Sequence, residues 1–320
     1  MPANLPPQYF EVEKKYREAK TLQEKLFYLQ ELLAIIPKHK GTEKLQGELK
    51  AKISKTKEMM EHSKKSGGST AWYQVERQGA GQVLLVGLPN SGKSSLLNLL
   101  TRTNVEVAPY PFTTSTFQVG MMEYEDIKIQ IVDTPPVSES APAWLYAAFR
   151  FADLLLILLD ASSDDLLEQM EIIKRELESR NIYIEKEKPE AKKTIVLLNK
   201  SDVNKGEENS EVFLEFYQNK FNILKISTIT ALNIETLRHL IFENLDIIRV
   251  YTKKIGQPPI KKEPIVLKSG ATVIEAAEHI HKDFKKNLKF TRLWNDKGFS
   301  GQRVEKNYIL HDGDIVEFHV

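Results

Sequence analysis

The sequence predicts an α/β fold with a parallel-sheet core, preceded by a helical segment and followed by a smaller α+β module. Three observations predict it. From Gln82 onward, short apolar runs alternate with helical stretches, the pattern of a parallel sheet covered on both faces. A glycine-rich stretch, Gly87-Leu-Pro-Asn-Ser-Gly-Lys93-Ser94, joins one such run to a helical stretch, where backbone amides at a helix start favour anions. Near residue 248 the pattern changes again, to short strands around one helix.

The first segment, residues 8–65, reads as helices. Thr21-Leu-Gln-Glu24 is a capping-box pattern, Leu22, Leu26, Leu29 and Leu33 follow at helical spacing, and Pro37 stops the run. A further helix after Thr42 carries Leu45, Leu49 and Ile53 on one face and Lys50, Lys52, Lys55 and Lys57 on the others. Ser66-Gly-Gly-Ser69 reads as a flexible linker. Strands are predicted at 82–87, 127–132, 153–159, 194–199 and 223–227, with helices at 93–101, 164–180 and 233–245. The last module has strands at 248–254, 264–267, 289–294 and 315–319. Its helix is opened by the capping box Thr272-Val-Ile-Glu275, and Asp312-Gly313 signals a tight turn before the last strand. The expected domains are 1–68, 69–246 and 247–320, in keeping with a 320-residue chain too long for one ordinary core.

Composition narrows the function classes. Hydrophobic content of 41% and charge of 28% fit a globular protein. The absence of cysteine excludes disulfides and thiolate-ligated metals. The N-terminus has no apolar signal-peptide core, and the longest apolar run, Leu154–Leu159, falls far short of the ~20 residues of a membrane span. A cytoplasmic location is expected, without membrane or DNA partners; the residues set no oligomeric state. Net charge is +5 over residues 1–68, −6 over 69–260 and +2 over 261–320. The basic first segment suits either a polyanionic partner or a solvated helix face.

The chemistry sits in the middle segment. The Gly87–Ser94 stretch fits G-x-x-x-x-G-K-[ST], in which amides surround phosphates, the lysine supplies charge and the serine hydroxyl binds Mg²⁺. It follows QVLLV and opens SSLLNLL, the strand-then-helix context the motif requires. Gly87, Asn90, Ser91, Gly92, Lys93, Ser94 and Ser95 are therefore candidate nucleotide-binding residues. Asn199-Lys200-Ser-Asp202 lies 106 residues beyond Lys93, at the end of another apolar run. A carboxylate there can accept from guanine's ring N–H and exocyclic amine, a donor pair adenine lacks. Ligands bind at the carboxyl ends of such strands, so both loops can reach one crevice. Asp133 ends its own strand and is the candidate carboxylate for Mg²⁺ through a bound water. Thr113-Thr114, in YPFTTSTF, is the candidate source of a threonine ligand.

Taken together, GLPNSGKS, PFTT, the Asp133 strand end, NKSD and Ser227-Thr228-Ile229 resemble the five motifs of translation-factor-related GTPases. YPFTT is similar to the Obg and developmentally regulated GTP-binding (DRG) proteins. The stretch IRVYTKKIGQPP…IVLKSGATVIEAAEHIH…LHDGDIVEFHV resembles a TGS domain, the ubiquitin-like (β-grasp) module that ends DRG proteins. The resemblance covers residues 82–320, and the inserted domain that DRG proteins carry after their third motif is not expected here. It implies a ribosome-associated GTPase. Lys93, Thr114 and Asp133 would serve catalysis, and Ser94, Thr114 and Asp133 (via water) would serve Mg²⁺. The phosphate-loop residues, together with Asn199, Lys200, Asp202, Ser227 and Thr228, would bind GTP or GDP.

Four positions depart from that pattern. Thr228 stands where alanine is usual. Pro136 stands where the third motif, Asp-x-x-Gly, has a glycine whose N–H contacts the γ-phosphate, and the next position, which holds a water-orienting glutamine in some GTPases, is Val137. The amides of Thr134 and Val137 remain as possible substitutes. Asn90 stands where DRG and Obg proteins usually have serine; potassium-stimulated GTPases have asparagine, whose carbonyl can ligate K⁺, while the plain alternative is a turn residue. The expectation is a slow GTPase switch bound to ribosomes or their RNA, with a GTP-binding adaptor of little or no hydrolysis as the alternative. An ATPase is disfavoured by Asp202.

Overall fold

The computed structural model describes residues 6–18, 22–36, 42–63, 76–101, 105–109, 116–259, 261, 263–296 and 298–319. Thr21, Pro37, the 66–69 linker, Thr113 and Thr114 lie outside them. The chain divides into two compact units, one formed by the N-terminal helices and the other running from Val75 through the C-terminal strands.

The first unit holds α1 (Pro7–Glu18), α2 (Leu22–Ile35) and α3 (Glu43–Ser63). Apolar spacing decides what is buried: Tyr9 and Val12 from α1, Leu26, Leu29 and Leu32 from α2, and Leu49 and Ile53 from α3 share one core. Lys50, Lys52 and Lys55 are exposed, as expected of the polar face of an amphipathic helix.

The second unit begins with a seven-stranded sheet: β1 (Gln82–Gly87), β2 (Val105–Pro109), β3 (Thr116–Tyr124), β4 (Ile127–Asp133), β5 (Leu154–Asp160), β6 (Thr194–Asn199) and β7 (Asn222–Lys225), in the order β2-β3-β4-β1-β5-β6-β7. Five strands, β4-β1-β5-β6-β7, run parallel. The sheet is nevertheless mixed, because β2 and β3 add an antiparallel edge. The reason is local. Only Glu125 and Asp126 separate β3 from β4, and Glu125 takes a left-handed φ of 50°, so the chain reverses where a parallel pair would need a long crossover. Helices α4 (Lys93–Thr101), α5 (Ala143–Phe151), α6 (Leu166–Glu178), α7 (Asn204–Tyr217) and α8 (Ile234–Asn244) make the connections. The run Leu154–Leu159 is buried throughout, at about 1.5–3 kcal/mol of apolar transfer per leucine or isoleucine side chain.

A five-stranded sheet completes this unit: β8 (Ile247–Thr252), β9 (Ile265–Lys268), β10 (Phe290–Trp294), β11 (Ser300–Val304) and β12 (Ile315–His319), in the order β11-β10-β12-β8-β9. Helices α9 (Val273–Ile280) and α10 (Lys282–Asn287) join β9 to β10. Val273, Ala276 and Ala277 of α9 pack with Val250, Leu293 and Val316, and the parallel β8–β12 pair in the middle matches a β-grasp fold. The predicted capping box is present, with the Thr272 amide and hydroxyl both donating to Glu275 Oε2 at 2.7 and 2.8 Å. Gly313 turns with φ 87°, as the Asp312-Gly313 pair requires.

One arginine joins the two sheets. Arg249 of β8 donates through Nε and Nη2 to Asp312 at 3.0 and 2.7 Å, and through Nη1 to Asp126 at 3.2 Å and to Glu125. Its guanidinium lies 4.9 Å from the Phe242 ring centroid, and Tyr251 donates to Asp126. The C-terminal module thus grips the turn of the β3–β4 hairpin. Burial pushes the Asp312 carboxyl up, but its bonds to Arg249 outweigh that and hold it below its ordinary value of 3.8. A depressed carboxylate contributes stability above its unfolded pKa and loses it as pH falls through the folded one. The junction is therefore expected to loosen only on acidification below about pH 4. Arg249→Ala leaves three carboxylates facing one another and is expected to cost about 2–3 kcal/mol. Urea denaturation of the full chain checks this; an unchanged midpoint would show that the packing around Phe242 carries the junction.

Candidate nucleotide site

Space and backbone shape fix the phosphate loop. A Cβ on Gly87 would lie 2.6 Å from Ser91 Oγ and 2.7 Å from the Leu158 carbonyl, so no larger residue fits where β1 ends. Gly92 has φ +96°, and a Cβ there would lie 2.3 Å from Asn199 Nδ2. Asn90, at φ 63° and exposed, takes the left-handed turn that asparagine tolerates better than most residues. Lys93 then opens α4. Its ammonium is buried and donates to the carbonyls of Gly87 at 3.2 Å and Leu88 at 3.0 Å. Burial lowers its pKa, and Asp133 opposes the shift.

Ser94 Oγ donates to Asp133 Oδ2 at 2.5 Å. Burial raises the Asp133 pKa, against the Ser94 bond and the Lys93 charge. The second carboxylate oxygen, Oδ1, is buried without a hydrogen-bond partner. A serine hydroxyl and a carboxylate with an unsatisfied oxygen are hard oxygen donors side by side, and they fit Mg²⁺. These residues line a cleft of about 630 Å³, with Asn90, Gly92, Ser95, Gln118, Thr134, Pro135 and Pro136 around it.

The segment after Asp133 is tied to β1 on both sides of the prolines. Thr134 Oγ1 donates to the Leu85 carbonyl at 2.6 Å, and the Val137 amide donates to the Gly87 carbonyl at 3.2 Å. The Val137 side chain is buried. The Val137 amide is therefore committed to the protein, and of the two substitute phosphate donors that the sequence left open only the Thr134 amide remains. Nor can its side chain orient water.

On the other side of the loop, Asn199 is fully buried. Its Nδ2 donates to the Ser91 carbonyl at 3.0 Å and its Oδ1 accepts from the Thr228 amide at 3.1 Å. One side chain thus locks the phosphate loop to the 227–230 loop. Ser227 Oγ, also buried, accepts from the amides of Ile229 and Thr230 at 3.2 and 3.1 Å and sets that loop's curve. Thr228 contributes through its backbone, which is how threonine stands in for alanine without loss of this contact. Lys200, at φ 64°, is paired with Asp160 at the end of β5. The Asp160 carboxyl is pushed up by burial but held lower overall by Lys200 and Ser162. Asp202 is exposed beside these loops, and among the described residues nothing donates to it.

The structure thus brings together Asn90, Gly92–Ser95 and Asp133 in one cleft, with Gly87 and Ser91 shaping the loop beneath it, and holds Asn199 and Thr228 against the same loop; Lys200 is turned to Asp160, Ser227 shapes the 227–230 loop, and Asp202 follows Asn199 by three residues. Thr114 lies outside the described residues. The sequence reading missed Gln118, Asp160 and the two anchors at Thr134 and Val137. Asp160 was within reach, as the last residue of an apolar run at a strand's carboxyl end. Gln118 was not, because its place depends on β3, which carries no clear period.

A family described as 50S ribosome-binding GTPase matches residues 82–200, and the TGS domain family matches residues 248–320. An uncharacterized GTP-binding protein of Methanocaldococcus jannaschii is 28% identical, with 92% of each chain covered. The human developmentally-regulated GTP-binding protein 2 is also 28% identical over 358 residues, with 92% of this chain and 98% of the relative covered. That aligned span exceeds the 320 residues here, so the relative carries residues this chain lacks. A GTP-binding protein of Sulfolobus solfataricus, solved with GDP, is similar at 22% identity and a TM-score of 0.43, covering 73% of this chain and 70% of its own. The chain therefore carries a P-loop GTPase domain followed by a TGS domain, and along most of its length it is similar to the developmentally regulated GTP-binding proteins.

Proposed function

We propose that this protein binds GTP and GDP with Mg²⁺, hydrolyses GTP slowly and acts as a cytoplasmic switch on ribosomes or their RNA. One observation supports the guanine-nucleotide reading above the others: Asn199, three residues before Asp202, ties the phosphate loop to the 227–230 loop, so the segment carrying the candidate base-reading carboxylate is anchored to the phosphate cradle. Lys93 would neutralise phosphate charge, Asp202 would accept from guanine, and Ser94, Thr114 and a water on Asp133 would hold Mg²⁺. Bound there, the ion would screen the phosphates. The ribosomal part rests on the matched family's description and on the +5 charge of residues 1–68. No described helix is long and apolar enough to cross a membrane.

Single-turnover GTP hydrolysis and salt-dependent co-sedimentation with ribosomes, in GTP and in GDP, test this reading. Measurable turnover with nucleotide-dependent sedimentation supports it. Ribosome binding without turnover favours a GTP-binding adaptor, a reading that the tethered Pro135-Pro136 segment also suits.

Pro136 has no amide to give the γ-phosphate, and its neighbours are anchored to β1. Discrimination between GTP and GDP should therefore be weak. Pro136→Gly restores an amide worth roughly 1.5–3 kcal/mol to a charged acceptor. It is expected to raise the GTP/GDP affinity ratio about tenfold or more. An unchanged ratio, with the circular dichroism intact, would show that the prolines are scaffolding. If the Asn90 carbonyl ligates K⁺, hydrolysis is faster in KCl than in NaCl at equal ionic strength, and Asn90→Ser removes the difference; equal rates in the two salts leave Asn90 as the turn residue its φ already makes it.

A further inference from the structure

The hydrolysis reading leaves one role unfilled. Something must hold the attacking water in line with the γ-phosphate, and the position that does so in some GTPases is here a buried valine with a committed amide. We propose that Gln118 fills this role as a catalytic residue, on a different strand from the usual one.

Three observations carry the proposal. Gln118 of β3 is the direct antiparallel partner of Asp133 of β4. Directly opposed residues share a face of the sheet, with Cβ atoms about 4.5–5.5 Å apart, so Gln118 projects on the side where Asp133 meets Ser94. Gln118 also lines the same cleft as Lys93, Ser94, Asp133 and Pro136. Finally, its side chain is exposed and, among the described residues, its amide makes no hydrogen bond. The neighbouring hydroxyl of Thr134 is already spent on Leu85.

The chemistry suits an amide. A carboxamide has one acceptor oxygen and two donor hydrogens. The oxygen can accept from the attacking water while the N–H donates to a γ-phosphate oxygen, holding nucleophile and electrophile together. The water oxygen forms a bond to the γ-phosphorus. The bond from that phosphorus to the β–γ bridging oxygen breaks, and GDP leaves with the electron pair. The proton lost by the water goes to the released phosphate. Gln118 is unchanged by the cycle. It sits on a strand, not on a flexible loop, so it can act without the ordering that Pro135 and Pro136 restrict.

The proposal rests on the reading that the chain hydrolyses GTP, and the test separates the two. With the full-length protein and Mg²⁺, single-turnover hydrolysis is measured for wild type, Gln118→Ala and Gln118→Glu, together with the affinities for GDP and for GDP with aluminium fluoride. The expected result is a rate at least about tenfold lower in both variants and a similar loss of the aluminium fluoride complex, with GDP affinity held within about twofold. Equal rates in wild type and Gln118→Ala would overturn the proposal. So would a parallel loss of GDP affinity, which would make Gln118 a structural residue. A wild type with no turnover above the protein-free rate would overturn the hydrolysis reading itself, and the role of Gln118 with it.

Discussion

Lys93→Ala is expected to abolish useful nucleotide binding, with affinity for GTP and GDP falling by about 100-fold or more. The ammonium is buried at the start of α4 and, among the described residues, is bonded only to the carbonyls of Gly87 and Leu88. Those carbonyls are weak partners for a full charge, and burial already lowers the lysine's pKa. A polyphosphate in the cleft offers a far stronger one. The fold should tolerate the change, because alanine favours helix and removes a buried charge. Isothermal titration with GDP, alongside thermal melting, separates lost binding from lost structure. Micromolar GTP affinity in a folded variant would mean that the phosphates are held elsewhere.

Asp202→Asn is the second large effect. An exposed carboxylate with no donor among the described residues keeps both oxygens for a ligand. Guanine offers two N–H groups in the right pattern, and the loss of a charged acceptor costs ~1.5–3 kcal/mol, or roughly 10- to 150-fold in affinity. Xanthine, whose extra carbonyl takes a donor, should gain at guanine's expense. Displacement of a labelled guanine nucleotide by GTP and by xanthosine triphosphate, compared between wild type and variant, reads the exchange. A variant that still prefers GTP would remove Asp202 from the base site.

The features legible in the sequence share one property: each is decided within a few residues. The phosphate loop was visible because Gly87, Gly92, Lys93 and Ser94 meet local steric and charge demands between a strand and a helix. The Thr272–Glu275 capping box and the Asp312-Gly313 turn were legible for the same reason. What was missed depends on residues far apart in the chain. In β3, TFQVGMMEY, Gly120 breaks the alternation that marks a half-buried strand; a Cβ there would strike Thr101. Without β3, the pairing of Gln118 with Asp133 could not be seen. β11, SGQRV, is short and glycine-bearing, and its pairing with β10 shifts register between Leu293 and Trp294. The Arg249 junction joins residues more than 120 positions apart. Asn199 shows a subtler gap. Its motif announced a base loop, but only the structure shows its amide holding two loops together.

The central claim is a guanine-specific site whose third motif no longer reads the γ-phosphate well. Equilibrium competition against a fluorescent GDP, in Mg²⁺, with GTP, GDP and ATP as competitors, tests it most directly. The expected result is that GTP and GDP compete within about tenfold of each other, while ATP is weaker than either by about 100-fold or more, the discrimination that a site built to hydrogen-bond one base can reach. ATP competing as well as GTP would contradict the base assignment, and a GTP preference over GDP far beyond tenfold would show that the segment after Asp133 senses the γ-phosphate despite its prolines.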